Sequence, residues 1–196
     1  MVSLKFAAFA TLAAFAVAAP TTAVSSAGTE EIKPFSFSQW VDDILNPNVI
    51  ALTPEQAVDA YYQSVNATDA AAAPEAGSLN KRAATCRTIS RALIADAVSM
   101  INQMAARGQA THTFSIQATL IDVRDGLGVQ RASIGATGGG GARSYTVPWE
   151  SYARAGGFVM DACTYGTTTG GQAQVPGDFG AGYGVQITLS GIYDGF

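Results

Sequence analysis

HTFSIQATLIDVRDGLGVQRASIGA, residues 112–136, decides the fold. From His112 to Val123 apolar and polar residues alternate. Phe114, Ile116, Ala118 and Leu120 would face a core, with Thr113, Ser115, Gln117 and Thr119 facing away. Asp125-Gly126 is a hairpin signal, because both residues tolerate the positive φ of a tight turn. A partner strand follows over about Val129–Ala136, with Ala132 and Ile134 directed inward. The segment therefore predicts an antiparallel hairpin.

Helical patterns flank it. Ala84–Arg107 predicts an amphipathic helix. Cys86, Ile89, Leu93, Ala97, Met100, Ile101 and Met104 share one face, with Arg87, Arg91, Ala95 and Asn102 turned away. Downstream, Gly138–Gly141 reads as a flexible loop and Arg143–Val147 as a third short strand. Pro148 opens a second helix, to about Cys163, whose stripe is Trp149, Tyr152, Ala153, Gly156, Val159, Met160 and Cys163. Residues 164–183 read as a Gly/Thr-rich loop. Val185, Ile187 and Leu189 then alternate with polar residues in a last strand. The order is α-β-β-β-α-β. It implies an α+β two-layer sandwich: a mainly antiparallel sheet of about four strands with two helices on one face.

The chain before this domain has a different character. Lys5 precedes an apolar run, Phe6–Ala19, too short to span a bilayer and of the right length for a signal-peptide core; Ala16-Val17-Ala18 supplies the cleavage pattern. Residues 1–18 are thus expected to be a signal peptide, and the protein to be secreted and extracellular. Residues 19–82 read as an acidic, weakly helical propeptide. One short helix is expected over about Ser38–Leu45, with Phe35, Trp40, Val41 and Ile44 as apolar members. A second is expected to start at the N-cap Thr53, with Pro54 at its first position. Asn66-Ala67-Thr68 is a glycosylation sequon centred on Asn66. The stretch ends at Lys81-Arg82, a dibasic pair after a linker-like segment and just before the change of composition. That context marks a processing site and makes residues 83–196 the mature domain.

The mature domain carries seven arginines and seven carboxylates, so the formal charge of −4 resides in the segment that precedes it. A neutral domain without a basic cluster argues against a nucleic-acid partner. Its two cysteines, Cys86 and Cys163, read as a disulfide in an exported protein. Closing a loop of that length stabilises by roughly 4 kcal/mol in the loop-entropy model. No catalytic, cofactor or metal residue is expected. The single histidine, His112, cannot build a metal cluster and reads as a surface residue. Gly138–Gly141 lacks the Lys-Ser/Thr of a phosphate loop, and Asp178-Phe179-Gly180 matches a kinase triplet by chance. Pairs among Asp122, Glu150, Asp161 and Asp178 could serve glycoside hydrolysis only through a convergence that their spacing does not indicate.

Two features stand out. The 164–183 segment places Tyr165, Phe179 and Tyr183 among glycines, which suits either a protein- or glycan-binding loop or aromatics tucked on the core. The mature domain also has no lysine: Lys5, Lys33 and Lys81 all precede it. Three readings would account for that: a genomic preference for arginine, loss of ubiquitin acceptors, or avoidance of internal dibasic sites.

Signal peptide, acidic prosegment, Lys81-Arg82 and a small cysteine-containing domain together resemble fungal secreted effectors and killer-toxin-like proteins. The cleavage site resembles those cut by the fungal late-Golgi protease that processes such precursors. The helix beside Cys86, the hairpin and the helix reaching Cys163 look like the α/β-sandwich toxins of that group. The resemblance is architectural and carries over no functional residue. It implies a non-enzymatic virulence effector or toxin acting on a host or competitor protein or membrane. The alternatives are a small secreted hydrolase held inactive by its propeptide, and a cell-wall or surface interaction protein. The partners expected are that target and the processing protease; the oligomeric state is left open.

Overall fold

The computed structural model describes residues 34–69, 84–139, 144–177 and 184–192. The expected signal peptide, the Lys81-Arg82 pair, Phe179 and Tyr183 lie outside them. In chain order the elements are α1 (Phe37–Leu45), α2 (Pro54–Asp69), β1 (Ala84–Cys86), β2 (Ala92–Leu93), α3 (Ile94–Ala105), β3 (Thr111–Phe114), β4 (Gln117–Arg124) and β5 (Gln130–Gly138), followed by β6 (Tyr145–Pro148), α4 (Trp149–Cys163), β7 (Thr164–Tyr165), β8 (Thr168–Thr169), β9 (Gly171–Gln174) and β10 (Val185–Gly191). The fold is α+β, as expected. An antiparallel five-stranded sheet runs β1-β9-β10-β5-β4, beside small antiparallel sheets β2-β8-β7 and β3-β6.

The central hairpin is the one the sequence indicates. Asp125 closes its turn by accepting the Leu127 and Val129 N–H groups at 2.9 and 2.8 Å, and Gly128 takes φ +81°. Ala132, Ile134 and Ala136 from β5 and Val185, Ile187 and Leu189 from β10 form the buried face. α3 and α4 pack against the sheet and against each other. The stripe read for α4 is buried along its whole length.

Four expectations are corrected. The helix predicted from Ala84 starts at Ile94; β-branched Thr85, Thr88 and Ile89 and the hydroxyl of Ser90 disfavour helix, and Ala84–Cys86 pairs with β9 instead. Its assigned faces reverse in that stretch: Cys86 and Ile89 are exposed and Arg91 is buried. The single strand predicted over 112–123 breaks at Ser115-Ile116 into β3 and β4, leaving Ile116 70 % exposed. A register shift after Thr119 then buries both Leu120 and Ile121. Within the predicted 164–183 loop, the β7–β8 hairpin and β9 form, and β9 sits between β1 and β10 in the main sheet. Finally, Gly138 is not a flexible loop residue. It ends β5 beneath the Tyr145 ring, where a Cβ would lie 2.0 Å from a ring carbon.

The two N-terminal helices pack onto α3 and α4. α1 lies on α4 and also touches α3, and α2 lies on α3. Phe37, Trp40 and Val41, at helical spacing on α1, are fully buried, as is Ala57 of α2. Burying a large apolar side chain of this kind stabilises by roughly 1.5–3 kcal/mol. Thr53 and Gln56 form a capping box at the start of α2: the Gln56 N–H donates to Thr53 Oγ1 and the Thr53 N–H to Gln56 Oε1. Trp40 Nε1 donates to the Leu52 carbonyl at 2.9 Å, tying the loop between the helices back to α1.

The seam between α1 and α4 is built on Arg154, Gly157 and Asp161, one face of α4 at helical spacing. A Cβ at Gly157 would stand 2.8 Å from Ser38 Cα and 3.1 Å from its nitrogen. At Gly156 the obstacle is the Ile101 side chain, which can turn aside. Gly157→Ala is therefore expected to destabilise the full-length protein by about 1–3 kcal/mol, outweighing the ~1 kcal/mol that alanine contributes within a helix. Gly156→Ala is expected to change stability less. Urea midpoints of the two variants test this, and equal or raised midpoints for Gly157→Ala would show that the helices do not meet this closely.

Candidate functional site

The segment from Arg87 to Leu93 crosses the end of the main sheet. The Gly191 N–H donates to the Ser90 carbonyl at 2.8 Å. A Cβ at Gly191 would meet the Arg91 carbonyl oxygen at 2.4 Å, so glycine is required for the crossing. Ser90 takes φ +55°, and it is the one non-glycine residue with positive φ among those described. Such backbone conformations are held by their surroundings and concentrate at binding sites.

Beside this crossing lies a cleft of about 420 Å³, lined by Arg87, Ser90, Gln130, Arg131, Ser133 and Ser190, with Val129, Gly191 and Ile192. Ser133 and Ser190 sit opposite one another in the β5–β10 register, and their hydroxyls are 3.3 Å apart. They alternate with the buried Ile134 and Leu189, so they belong to the outer face of the sheet. Arg131 is held in place by the nearly buried Asp96 of α3, to which its Nε and Nη2 both donate. Val129 and Ile192 at the rim are 53 % and 56 % exposed, and Ile89, next to Ser90, is also exposed. The cleft thus combines two guanidinium groups, several hydroxyls and an apolar margin. That chemistry suits an anionic group attached to something apolar. Sequence reading missed this site because it assigned Arg87 and Ile89 to opposite faces of a helix. The adjacent Ser133 and Ser190 become neighbours only through strand register.

Arg91 has a different role. It is 6 % exposed, and its Nη2 donates to the carbonyl of Cys163, at the C-terminal end of α4, and to that of Thr168 in β8. At that end of α4 the helix dipole favours a cation. The Tyr165 ring stacks 4.9 Å from its guanidinium carbon. Burial draws the Arg91 pKa below its ordinary value, and the neighbouring Tyr165 and Tyr61 oppose that shift. Burial also raises the Tyr61 pKa; Tyr62 adds to that rise, while Arg91 counters it. The same end of α4 carries the Cys86–Cys163 disulfide, which joins it to β1. The expected pairing is present, although it ties a strand to a helix rather than two helices together. Neither cysteine is a free thiol, so neither can act as a nucleophile.

His112 is half-buried rather than at the surface. It packs among Phe114, Trp149 and Tyr152 at 5.3–6.3 Å between ring centroids, and Arg107 lies 4.1 Å over Trp149. The pattern that led to a surface assignment was right about the strand but could not show that α4 would pack across it. Among the described residues no group of three or more His, Cys, Asp or Glu side chains is placed to hold a metal ion. Of the other residues singled out from sequence, Asn66 is exposed on α2, and Tyr165 is exposed beside Arg91 rather than in the cleft. No described helix is long and apolar enough to cross a membrane.

Residues 81–188 match the family model described as Domain of unknown function (DUF8794), and the chain belongs to that family. The matched span opens at Lys81 and excludes α1 and α2. No curated protein and no solved structure matches the chain.

The Tyr152 hydroxyl is buried in the core, which pushes its pKa well above the ordinary 10.0. A tyrosine whose folded pKa is raised keeps its proton after the unfolded chain has released its own. Stability is then intact below about pH 10 and falls as the pH rises further. Tyr152→Phe is expected to fold normally and to lose less stability between pH 9 and pH 11 than the parent. Urea midpoints across that range check it; an unchanged alkaline slope would mean that Tyr152 ionises as freely in the folded state as in the unfolded one.

Proposed function

We propose that this chain is a secreted, non-enzymatic effector or killer-toxin-like protein. Cleavage after Lys81-Arg82 releases its working domain, which acts by binding a host or competitor protein or membrane. The observation that carries this reading is the cleft at Arg87 and Arg131, a preformed cationic site with an apolar margin. Its lining comes entirely from residues after the dibasic pair. The family match, which opens at Lys81, supports the same boundary. The polar groups in the cleft are guanidinium, hydroxyl and amide groups, suited to holding an anionic partner by charge-assisted hydrogen bonds.

The binding role rests on Arg87 more than on Arg131, because Arg131 is engaged by Asp96. Arg87→Glu places a like charge against an anionic target. It is expected to lower potency on challenged cells, or affinity for a captured partner, by about tenfold or more. Stability should change by no more than about 0.5 kcal/mol, as for an ordinary surface substitution. Protein cut after Arg82 is applied to candidate cells, with thermal unfolding as the control. Full potency of the variant would remove the cleft from the mechanism. If hydrolytic activity appears only after the cut and is lost with an Asp or Glu substitution, the inhibited-hydrolase reading replaces this one. Retention in wall extracts would favour a surface interaction protein.

A further inference from the structure

We infer that residues 34–69 stay bound to the domain after the chain is cut at Lys81-Arg82, making the working form a two-chain complex in which the prosegment is a subunit. The inference rests on the processing reading above.

The seam has the composition of a core. Phe37, Trp40 and Val41 insert one face of α1 between α4 and α3, and Trp40 and Val41 are as buried as the domain's own Met100 and Ile134. The polar part of the seam is complementary. The Asp161 carboxylate accepts the Phe37 and Ser38 N–H groups at 2.6 and 3.1 Å and the Ser36 hydroxyl at 2.9 Å, together with the Ser38 hydroxyl. It stands at the positive end of the α1 dipole, where an anion is favoured. Arg154 Nε donates to Asp42 at 3.0 Å further along the same face.

Two aspects of the fold favour retention over release. The bond to be cut lies in sequence between Asp69 and Ala84, the nearest ends of α2 and β1, so cutting it deletes none of these contacts. Release would expose the α4 face at Gly157, a position shaped to receive backbone rather than water. It would also leave Asp161 without the partners that it holds in the seam. Retention does not block the proposed binding surface, since no residue of α1 or α2 lines the Arg87 cleft. The prosegment acts here as a structural partner, not as a plug.

The experiment uses the purified protein from Ala19 onward. Lys81-Arg82 is the only dibasic pair in the chain, so a dibasic-specific protease cuts it once. Denaturing mass spectrometry should show two pieces, while native mass spectrometry and gel filtration at micromolar concentration show one species containing both. Separate elution of intact pieces would overturn the inference. Trp40→Ala is expected to weaken the cut complex by on the order of 100-fold. Asp161→Ala, which leaves the apolar core in place, should weaken it by about tenfold or more. Equal retention by Asp161→Ala and the parent would also count against the seam. The denaturing mass of protein from culture supernatant tests processing separately. A secreted chain left uncut would remove the processing reading, while the cut made in vitro still decides retention.

Discussion

None of the fifteen residues of α4 is exposed, and the rest of the structure is arranged to keep it so. Apart from a half-buried stripe at Glu150, Arg154, Phe158, Asp161 and Ala162, its surface is covered, and that takes neighbours around most of the helix. The main sheet supplies one, α3 a second and α1 a third. Its middle is Ala153, Ala155, Gly156 and Gly157, small residues that let Ile101 approach from α3 and Ser38 from α1. Such a sequence makes a weak isolated helix, since each glycine costs about 1 kcal/mol relative to alanine. The helix persists because its neighbours hold it, and its C-terminal end is fixed twice, by the Cys163 disulfide and by the Arg91 guanidinium.

Charge placement follows the same division between holding and binding. Arg91 is desolvated and has carbonyl oxygens and an aromatic ring for company, which makes it a rivet at a helix end. Asp96 and Asp161 are spent on Arg131 and on the start of α1. Arg87 sits in a cleft lined by Arg131, hydroxyls, an amide and aliphatic groups, with no carboxylate among its lining residues.

Much of this was legible in the sequence, and the remainder was lost for identifiable reasons. The hairpin, β10, α1 and α2 are marked by periodicity or by their own turn and cap residues, and α4 by its apolar stripe and the proline that opens it, although its stability comes from its neighbours. Ala84–Leu93 also fits a helical stripe, and there the pattern misled. Pairing with β9 and burial of Arg91 outweigh a weak propensity, and both depend on residues about 80 positions away. β9 itself, Gly171–Gln174, is glycine- and glutamine-rich and becomes a strand because β1 and β10 flank it. The candidate cleft was illegible for the same reason: its residues come from three separated segments joined only by register. The cysteine pairing was readable because two cysteines leave one intramolecular choice.

The least legible feature was the packing of α1 and α2 onto α4 and α3, and composition shows why. The acidity and the Ala-, Pro- and Gly-rich end of residues 19–82 suggest a segment to be discarded, but neither property reports how α1 and α2 pack. The part that matters for packing is a short stripe, Phe37, Trp40 and Val41, with a serine on either side of Phe37 to meet Asp161. A mask over a binding site would be expected to imitate the ligand of that site, presenting acid to the arginines of the cleft. This segment instead presents apolar residues to an apolar helix pair and hydroxyls to a carboxylate. Its chemistry is that of a layer of the core, and under the proposed processing a cut in the connecting chain would change its tether without removing these contacts.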